Sequence, residues 1–358
     1  SFLNVKGDTA DGMLYQLMCT LREEYQRHLT ALDDGTLSDS QRKELDYIYE
    51  GLWQTPDSKE AGNCIIRSVI VLCQALENYY GKKVYLLIDE YDTPFIAAND
   101  GGYYDKVRGI LSGMLSSSLK GNPALEKALL TGIQRVAKEN IFSGLNNLAV
   151  CTVCNQEYSD YFGFTPEETS ELLQYYGLKL TEDVKLMYDG YRFGETEVYN
   201  PWSVTFYAAR KKLEPYWVNT SENSIIKNAL EQRGEKFAGA YRKLIEEGTV
   251  SVRTELSTSY YEAADDASLW GLLINAGMVT VQKGFCQLRI PNFEVRRAFQ
   301  ELTAFYLKLE EGHIASMLRY LRLESMDEFA EEYQWILSEL PSYHDLKNEN
   351  SYHMMMLG

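Results

Sequence analysis

Apolar residues recur at helical spacing over 9–28, where Met13, Leu14, Leu17, Met18 and Leu21 share one face. Residues 31–62 are polar and predict helices with exposed loops. A second amphipathic stretch, 63–80, carries Ile65, Ile66, Val69, Ile70, Leu72, Cys73 and Leu76. It ends at Gly81, a suitable C-terminal cap. The pattern then changes period. Val84-Tyr85-Leu86-Leu87-Ile88 is a continuous apolar run between Lys82-Lys83 and Asp89-Glu90, which predicts a strand buried on both faces of a parallel sheet. A helix is expected over 103–119, and a restart at Asn122-Pro123, as cap and first helical residue. A second strand is expected over Ala128–Ile133, polar turns over 134–147 and a third strand over Leu148–Val153. Alternating strand and helix of these lengths imply a parallel α/β sheet.

Beyond residue 155 the grammar is mostly helical. Thr165-Pro166-Glu167-Glu168 is a capping box, with Glu three residues after the capping Thr, and predicts a helix to Tyr176. Asn200-Pro201 starts another helix, and Ser221 a third, through Leu230. Ser268–Ala276 is apolar and helical. Met278–Lys283 and Phe285–Ile290 flank Gly284 and read as a β-hairpin resembling a winged-helix element. Glu294–Leu309 and Met326–Leu340 are amphipathic. There is no internal repeat or low-complexity linker, and the best boundary lies near 155–165.

Composition narrows the classes. The chain has 358 residues, a formal charge of −17 and a pI near 4.8. Such acidity argues against a protein that coats DNA by neutralising phosphates. It is uneven: residues 101–150 carry six basic against three acidic residues, so a polyanionic nucleotide is better tolerated there than the total suggests. The six cysteines are scattered and form no disulfide framework, so a reducing cytoplasm is expected. No apolar run is long enough to span a membrane. The first residues, Ser1–Val5, read like the middle of a strand and the last ones like a helix, which fits a piece of a longer protein.

The strongest chemical feature is the apolar strand ending in Asp89-Glu90. In P-loop NTPases with an extra central strand, such a strand aims both carboxylates into the nucleotide crevice beyond its carboxyl end. The Asp holds Mg²⁺, usually through water, and the Glu orients and deprotonates the attacking water. By itself the motif is weak, because acidic residues at a strand end are often only solvated. Thr131, on the next expected strand, is placed to sense a γ-phosphate, and Arg135 to supply positive charge to a transition state. The plainer reading makes Thr131 the start of a turn and Arg135 a surface residue.

These segments occur together with others in a fixed order. Residues 83–94 read KVYLLIDEYDTP, 130–147 LTGIQRVAKENIFSGLNN and 158–168 YSDYFGFTPEE. Residues 188–203 read YDGYRFGETEVYNPWS, 216–223 YWVNTSEN and 289–297 RIPNFEVRR. From Ser1 to about Leu309 the succession resembles the AAA-ATPase-like proteins of anaerobic bacteria. The resemblance implies a parallel-sheet, AAA-like P-loop core over 1–157 with Walker B and sensor strands. A helical lid-like region over 158–230 and a helical region with the winged-helix-like hairpin over 231–345 would follow. The start of a truncated PD-(D/E)XK nuclease-like domain would occupy 346–358.

The implied activity is an ATP-hydrolysing switch that uses ATP and Mg²⁺ and controls the fused nuclease-like domain. Asp89 matches the Mg²⁺ carboxylate, Glu90 the catalytic base, Thr131 the sensor and Arg135 the following Arg. Asp92 matches either a supporting carboxylate near the nucleotide or a loop cap, the cap slightly preferred. Asn146-Asn147 would order a loop near the site. The YDGYRFG segment, with Asp189, Gly190, Tyr191 and Arg192, matches the lid region, where the simplest reading is a tight turn packed by aromatics. The family's phosphate-binding loop has no counterpart here, because no G-x-x-x-x-G-K-[ST] occurs and Gly81-Lys82-Lys83 precedes a strand. That loop is expected upstream of Ser1, with Phe2–Val5 the strand after its helix, and this chain alone is expected to hydrolyse little ATP.

Two other classes stay open. One is a non-catalytic module that binds a protein partner or a second copy of itself through the helical half. The other is a DNA-binding regulator using the hairpin, with Lys283, Arg289, Arg296 and Arg297 as contacts. Cys151-x-x-Cys154 is read as structural, since strand alternation would send its thiols to opposite faces and no second pair or nearby His completes a metal site. His28, His313, His344 and His353 have no ligand spacing.

Overall fold

Helix-forming segments that must bury one face, and short strands that need neighbours, set the architecture of the computed structural model. It describes residues 1–33, 35–133, 148–217, 235–256, 265–282, 287–306 and 311–339. The chain divides into two compact units, Ser1–Val150 and, in the main, the residues from Cys151 onward. Each is described by itself.

In the first unit α1 (Ala10–Leu32) begins where Thr9 accepts a hydrogen bond from the Gly12 N–H at 3.1 Å. Its buried face holds the expected Met13, Leu14, Leu17, Met18 and Leu21, and continues to Tyr25 and Leu32. The polar stretch contains α2 (Asp39–Gly51), started by a reciprocal capping box between Ser38 and Gln41. α3 (Lys59–Tyr80) starts at Ser58, earlier than periodicity predicted, and stops at Gly81, which takes the left-handed conformation (φ 63°). It packs closely on α5 (Tyr104–Leu119), where Ser117 Oγ donates to the Ile66 carbonyl at 2.6 Å. The core of this unit gathers Val5, Leu17, Leu45, Ile48, Ile65, Val107 and Met114. Each fully buried aliphatic side chain is worth about 1.5–3 kcal/mol against exposure.

β1 (Val84–Ile88) forms where expected and pairs in parallel with β2 (Leu125–Leu130), Ile88 opposite Leu130. Four expectations fail here. β1 is not covered on both faces: Ile88 is buried, but Tyr85 is 64% and Leu87 71% exposed, and Leu129 on β2 is 54% exposed. Asn122-Pro123 does not start a helix. The Asn122 side chain donates to the Ser118 carbonyl and accepts from the Ala124 N–H, turning the chain straight into β2. Leu148–Val153 is not a strand, so no strand alternation separates the Cys151 and Cys154 thiols. Ser1–Val5 is not a strand either; it turns, with the Val5 N–H on the Phe2 carbonyl at 2.9 Å and the Phe2 N–H on the Asp89 carbonyl at 2.8 Å. A short helix not foreseen, α4 (Thr93–Asp100), follows β1. The fold is thus mixed, with a small parallel sheet of two strands among the described residues.

In the second unit α6 (Pro166–Tyr175) starts with the predicted Thr165–Glu168 capping box. α7 (Glu182–Tyr188) leads into a hairpin of β3 (Tyr191–Phe193) and β4 (Thr196–Val198), and α8 (Pro201–Arg210) starts at Asn200 as expected. α9 (Glu235–Glu247) and β5 (Thr249–Ser251) were not foreseen. α10 (Asp266–Asn275) precedes β6 (Thr280–Val281) and β7 (Gln287–Arg289), the expected hairpin, whose turn lies outside the described residues. β5 joins it in an antiparallel sheet of order β5-β7-β6. α11 (Phe293–Tyr306), α12 (Glu311–Arg322) and α13 (Met326–Glu339) follow. The expected helix 221–230 and the expected nuclease-like start at 346–358 lie outside the described residues. No described helix is long and apolar enough to cross a membrane.

Candidate functional site

At the carboxyl end of β1 the chain reverses sharply. Glu90 takes φ 57°, in the left-handed region that costs an ordinary residue about 1–2 kcal/mol. The turn lets the Tyr91 N–H reach the Thr131 carbonyl (3.0 Å), while the Thr131 N–H reaches the Ile88 carbonyl (2.9 Å). The two strand ends are therefore laced together just where the candidate residues sit.

Asp89 is exposed at this end. Its Oδ1 accepts from Thr131 Oγ at 2.6 Å and its Oδ2 from Ser1 Oγ at 3.0 Å. The Thr131 bond first, and the Ser1 bond next, stabilise the charged form and hold the carboxyl below its ordinary 3.8. Glu90 Oε2 accepts from Thr93 Oγ at 2.8 Å, which fixes the side chain beside the first turn of α4. Asp92 is buried and stands at the N-cap position of α4, but its carboxylate makes no capping bond to that helix. Oδ2 instead accepts from the Ile133 N–H at 2.9 Å, tying the turn after β1 to the segment after β2. The carboxylate does not cap the helix, but its bond to the Ile133 N–H is the kind a loop cap makes. Gly132 is required here, since a Cβ on it would collide with the Asp92 carboxylate.

The structure thus brings Asp89, Glu90, Asp92 and Thr131 together at one strand end. Arg135, Asn146 and Asn147 lie outside the described residues. No cluster of three or more His, Cys, Asp or Glu among the described residues could cage a metal by itself. One or two carboxylates suit Mg²⁺, which keeps water and phosphate oxygens in its shell.

The second unit holds a polar node that sequence reading did not single out. Glu294 is wholly buried in the first turn of α11 and accepts from Ser203 Oγ (2.7 Å), the Tyr216 N–H (2.5 Å) and the Trp217 N–H (2.7 Å). Burial pushes its carboxyl up, and these donors only partly offset that. Ser203 and Tyr216-Trp217, from two of the quoted segments, thus converge on Glu294 of a third, 289–297. The only hint in the sequence is an acid at the start of an apolar helix, where the helix dipole favours it.

The YDGYRFG segment is not one tight turn: Tyr188 ends α7, Tyr191–Phe193 form β3, and only Asp189-Gly190 link them. Asp189 accepts from its neighbour Gly190 N–H (2.6 Å) and from Tyr199 Oη (3.0 Å), and Arg289 Nη2 donates to the Gly190 carbonyl at 2.7 Å. The Arg192 N–H donates to Thr280 Oγ at 2.9 Å. Gly190 has φ 109° and lies so close to the Pro291 carbonyl that no Cβ fits.

Residues 12–142 match the AAA-ATPase-like family, described as predicted AAA-ATPase. That span contains Asp89, Glu90, Asp92, Thr131 and Arg135. An uncharacterized protein in the vnfD 5′ region of Azotobacter chroococcum mcd 1 is 29% identical over 233 residues, covering 62% of this chain. The chain spans 43% of that relative's length. No solved structure matches. Residues 12–142, whose carboxylates and threonine meet at the end of β1, are similar to the predicted AAA-ATPase family.

Proposed function

We propose that this chain carries the water- and metal-handling half of an ATP site, in a protein that uses ATP hydrolysis as a switch. The observation that carries the reading is the pairing of Asp89 with Thr131 across two parallel strands, beside a Glu90 held in a strained backbone conformation. Strain of this kind collects at functional sites, where the surrounding structure over-determines it.

In this reading Asp89 would hold Mg²⁺ through water, and the bound ATP·Mg²⁺ would supply the phosphoryl group with its charge already partly neutralised. The residues of the chain do the rest. Thr131 fixes the Asp89 carboxylate by its 2.6 Å bond and keeps it ionised. Glu90 orients a water and accepts its proton at a carboxylate oxygen, with Thr93 limiting its rotamers. Arg135 would add positive charge to the transition state. The backbone N–H cradle for the phosphates would come from a segment outside this sequence. The uncovered face of β1 and β2 supports that, because parallel sheets of α/β proteins are covered on both faces. The output of the switch would be the fused nuclease-like domain that the resemblance implies.

The same uncovered face, with Tyr85, Leu87 and Leu129 exposed, favours a second reading in which it binds a protein partner or another copy. A DNA-reading role for the hairpin half has less support. The helix before the hairpin, α10, is buried from Ser268 to Ile274 and presents no side chain there to a groove.

Replacing Glu90 by Gln in the full-length protein separates the readings. ATP binding should persist while turnover falls by about 10²–10⁴-fold. Unchanged turnover would remove Glu90 from the mechanism.

A further inference from the structure

The second unit contains a cavity of about 440 Å³ where α7, the start of the β3–β4 hairpin and the start of α11 meet. It borders the segments YDGYRFG and RIPNFEVRR, which the ATPase reading leaves without a task. Asn292 lines it, is only 9% exposed and caps α11, its Oδ1 accepting from the Val295 N–H at 3.0 Å. That bond fixes the orientation of the amide. Nδ2 is then a buried donor with no partner among the described residues. A native protein rarely leaves such a group unpaired, and the acceptor it lacks is what a ligand would bring.

Charge identifies the ligand's class. Arg296, one turn along α11, also lines the cavity and has no carboxylate within ion-pair distance among the described residues. Lys185 contributes a second cation, shared with Glu182 at 2.8 Å. The N-terminal end of α11 adds the positive pole of its dipole. Asp189 and Glu197 also line the cavity, but Asp189 is already occupied by Tyr199 and the Gly190 N–H. Leu186, Ile290 and Phe293 give an apolar wall.

We propose that this cavity binds a small organic anion. Its oxyanion head, a carboxylate or a phosphate, is held by Arg296 and the Asn292 amide, and its short apolar body lies on Leu186, Ile290 and Phe293. The proposal is independent of the ATP reading, since every residue in it belongs to the second unit.

Calorimetric titration of the full chain with phenyl phosphate and with phenylacetate tests it. At least one probe should bind saturably, with a dissociation constant of about 1 mM or tighter. Which one binds better identifies the head group. Arg296→Gln, a change at an exposed residue, should weaken that binding by about tenfold or more. Asn292→Ser, which keeps an oxygen to cap the helix but removes the amide donor, should weaken it by about fivefold. Circular dichroism melting checks that both variants fold, and Arg296→Gln alone decides if Asn292→Ser does not. No saturable binding of either probe to the unaltered chain up to about 10 mM overturns the proposal. So does affinity unchanged by Arg296→Gln.

Discussion

Asp89 and Glu294 are both carboxylates held by three or fewer donors, yet they stand in opposite surroundings. Asp89 is exposed at a strand end, takes its bonds from two hydroxyls and is held more acidic than usual. Glu294 is buried in a helix turn, takes two of its three bonds from backbone N–H groups and is held less acidic than usual. Hydroxyl donors can turn toward another ligand. Backbone donors cannot leave without moving the chain. The difference separates a side chain placed to exchange partners from one placed to lock three segments together.

The two shifts carry opposite pH signatures. Asp89's contribution is present above its ordinary 3.8 and is lost as pH falls through the lowered value. Exposure keeps it small. Glu294's contribution is full below its ordinary 4.5 and is lost as pH rises through the raised value.

The comparison breaks most readily at Glu294. Glu294→Ala leaves Ser203 and two backbone N–H groups buried without an acceptor, so the second unit should lose about 3–5 kcal/mol in urea denaturation. Glu294→Gln retains an acceptor and should cost less. It should also remove the loss of stability with rising pH that is expected of the unaltered chain above 4.5. If Glu294→Ala melts like the unaltered chain, the residue is no lock.

Gly190→Ala comes next. The Cβ meets the Pro291 carbonyl and the backbone sits at φ 109°, so about 2–3 kcal/mol should be lost, again from the second unit. Glu90→Gly should act in the other direction. Releasing the strain at φ 57° should stabilise the first unit by about 1 kcal/mol. A site built for stability alone would lose stability instead, and a thermal melt distinguishes the two.

The smallest effect is expected at Thr131→Val. Stability should fall by less than about 1 kcal/mol. The informative readout is the Asp89 titration followed by carboxyl carbon NMR, which should move back up toward 3.8. An unmoved titration would mean that Thr131 does not tune Asp89.

Local chemistry made much of this legible. Thr165 and Glu168, Asn200-Pro201 and Gly81 mark helix ends through bonds to near neighbours, and all three appear as expected. That Thr131 stands at the strand end beside Asp89 was also legible, because the ends of two strands in a parallel pair are neighbours; the hydrogen bond between them was not foreseen. What failed depended on company. Asn122-Pro123 carries a helix-start signal, yet Val84 draws the following residues into a strand through its N–H on the Ala124 carbonyl. Leu148–Val153 has strand composition but pairs with no described strand, and Leu148 and Val150 stay exposed. Glu294 was invisible because its donors lie 77 to 91 residues away.

The bare face of β1 and β2 has a consequence for how the chain behaves in solution. Val84–Ile88 joins three strong strand formers, Val84, Tyr85 and Ile88, to two leucines, with no charge, no Pro and no Gly, and its Tyr85 ring and Leu87 methyls stand in water. Such a pair is a template for its own kind. Two copies that stack these faces, or add edge to edge, remove that apolar surface and satisfy open backbone groups at once. The isolated chain is therefore expected to self-associate through Tyr85, Leu87 and Leu129 at concentrations where its charge of −17 alone would keep copies apart.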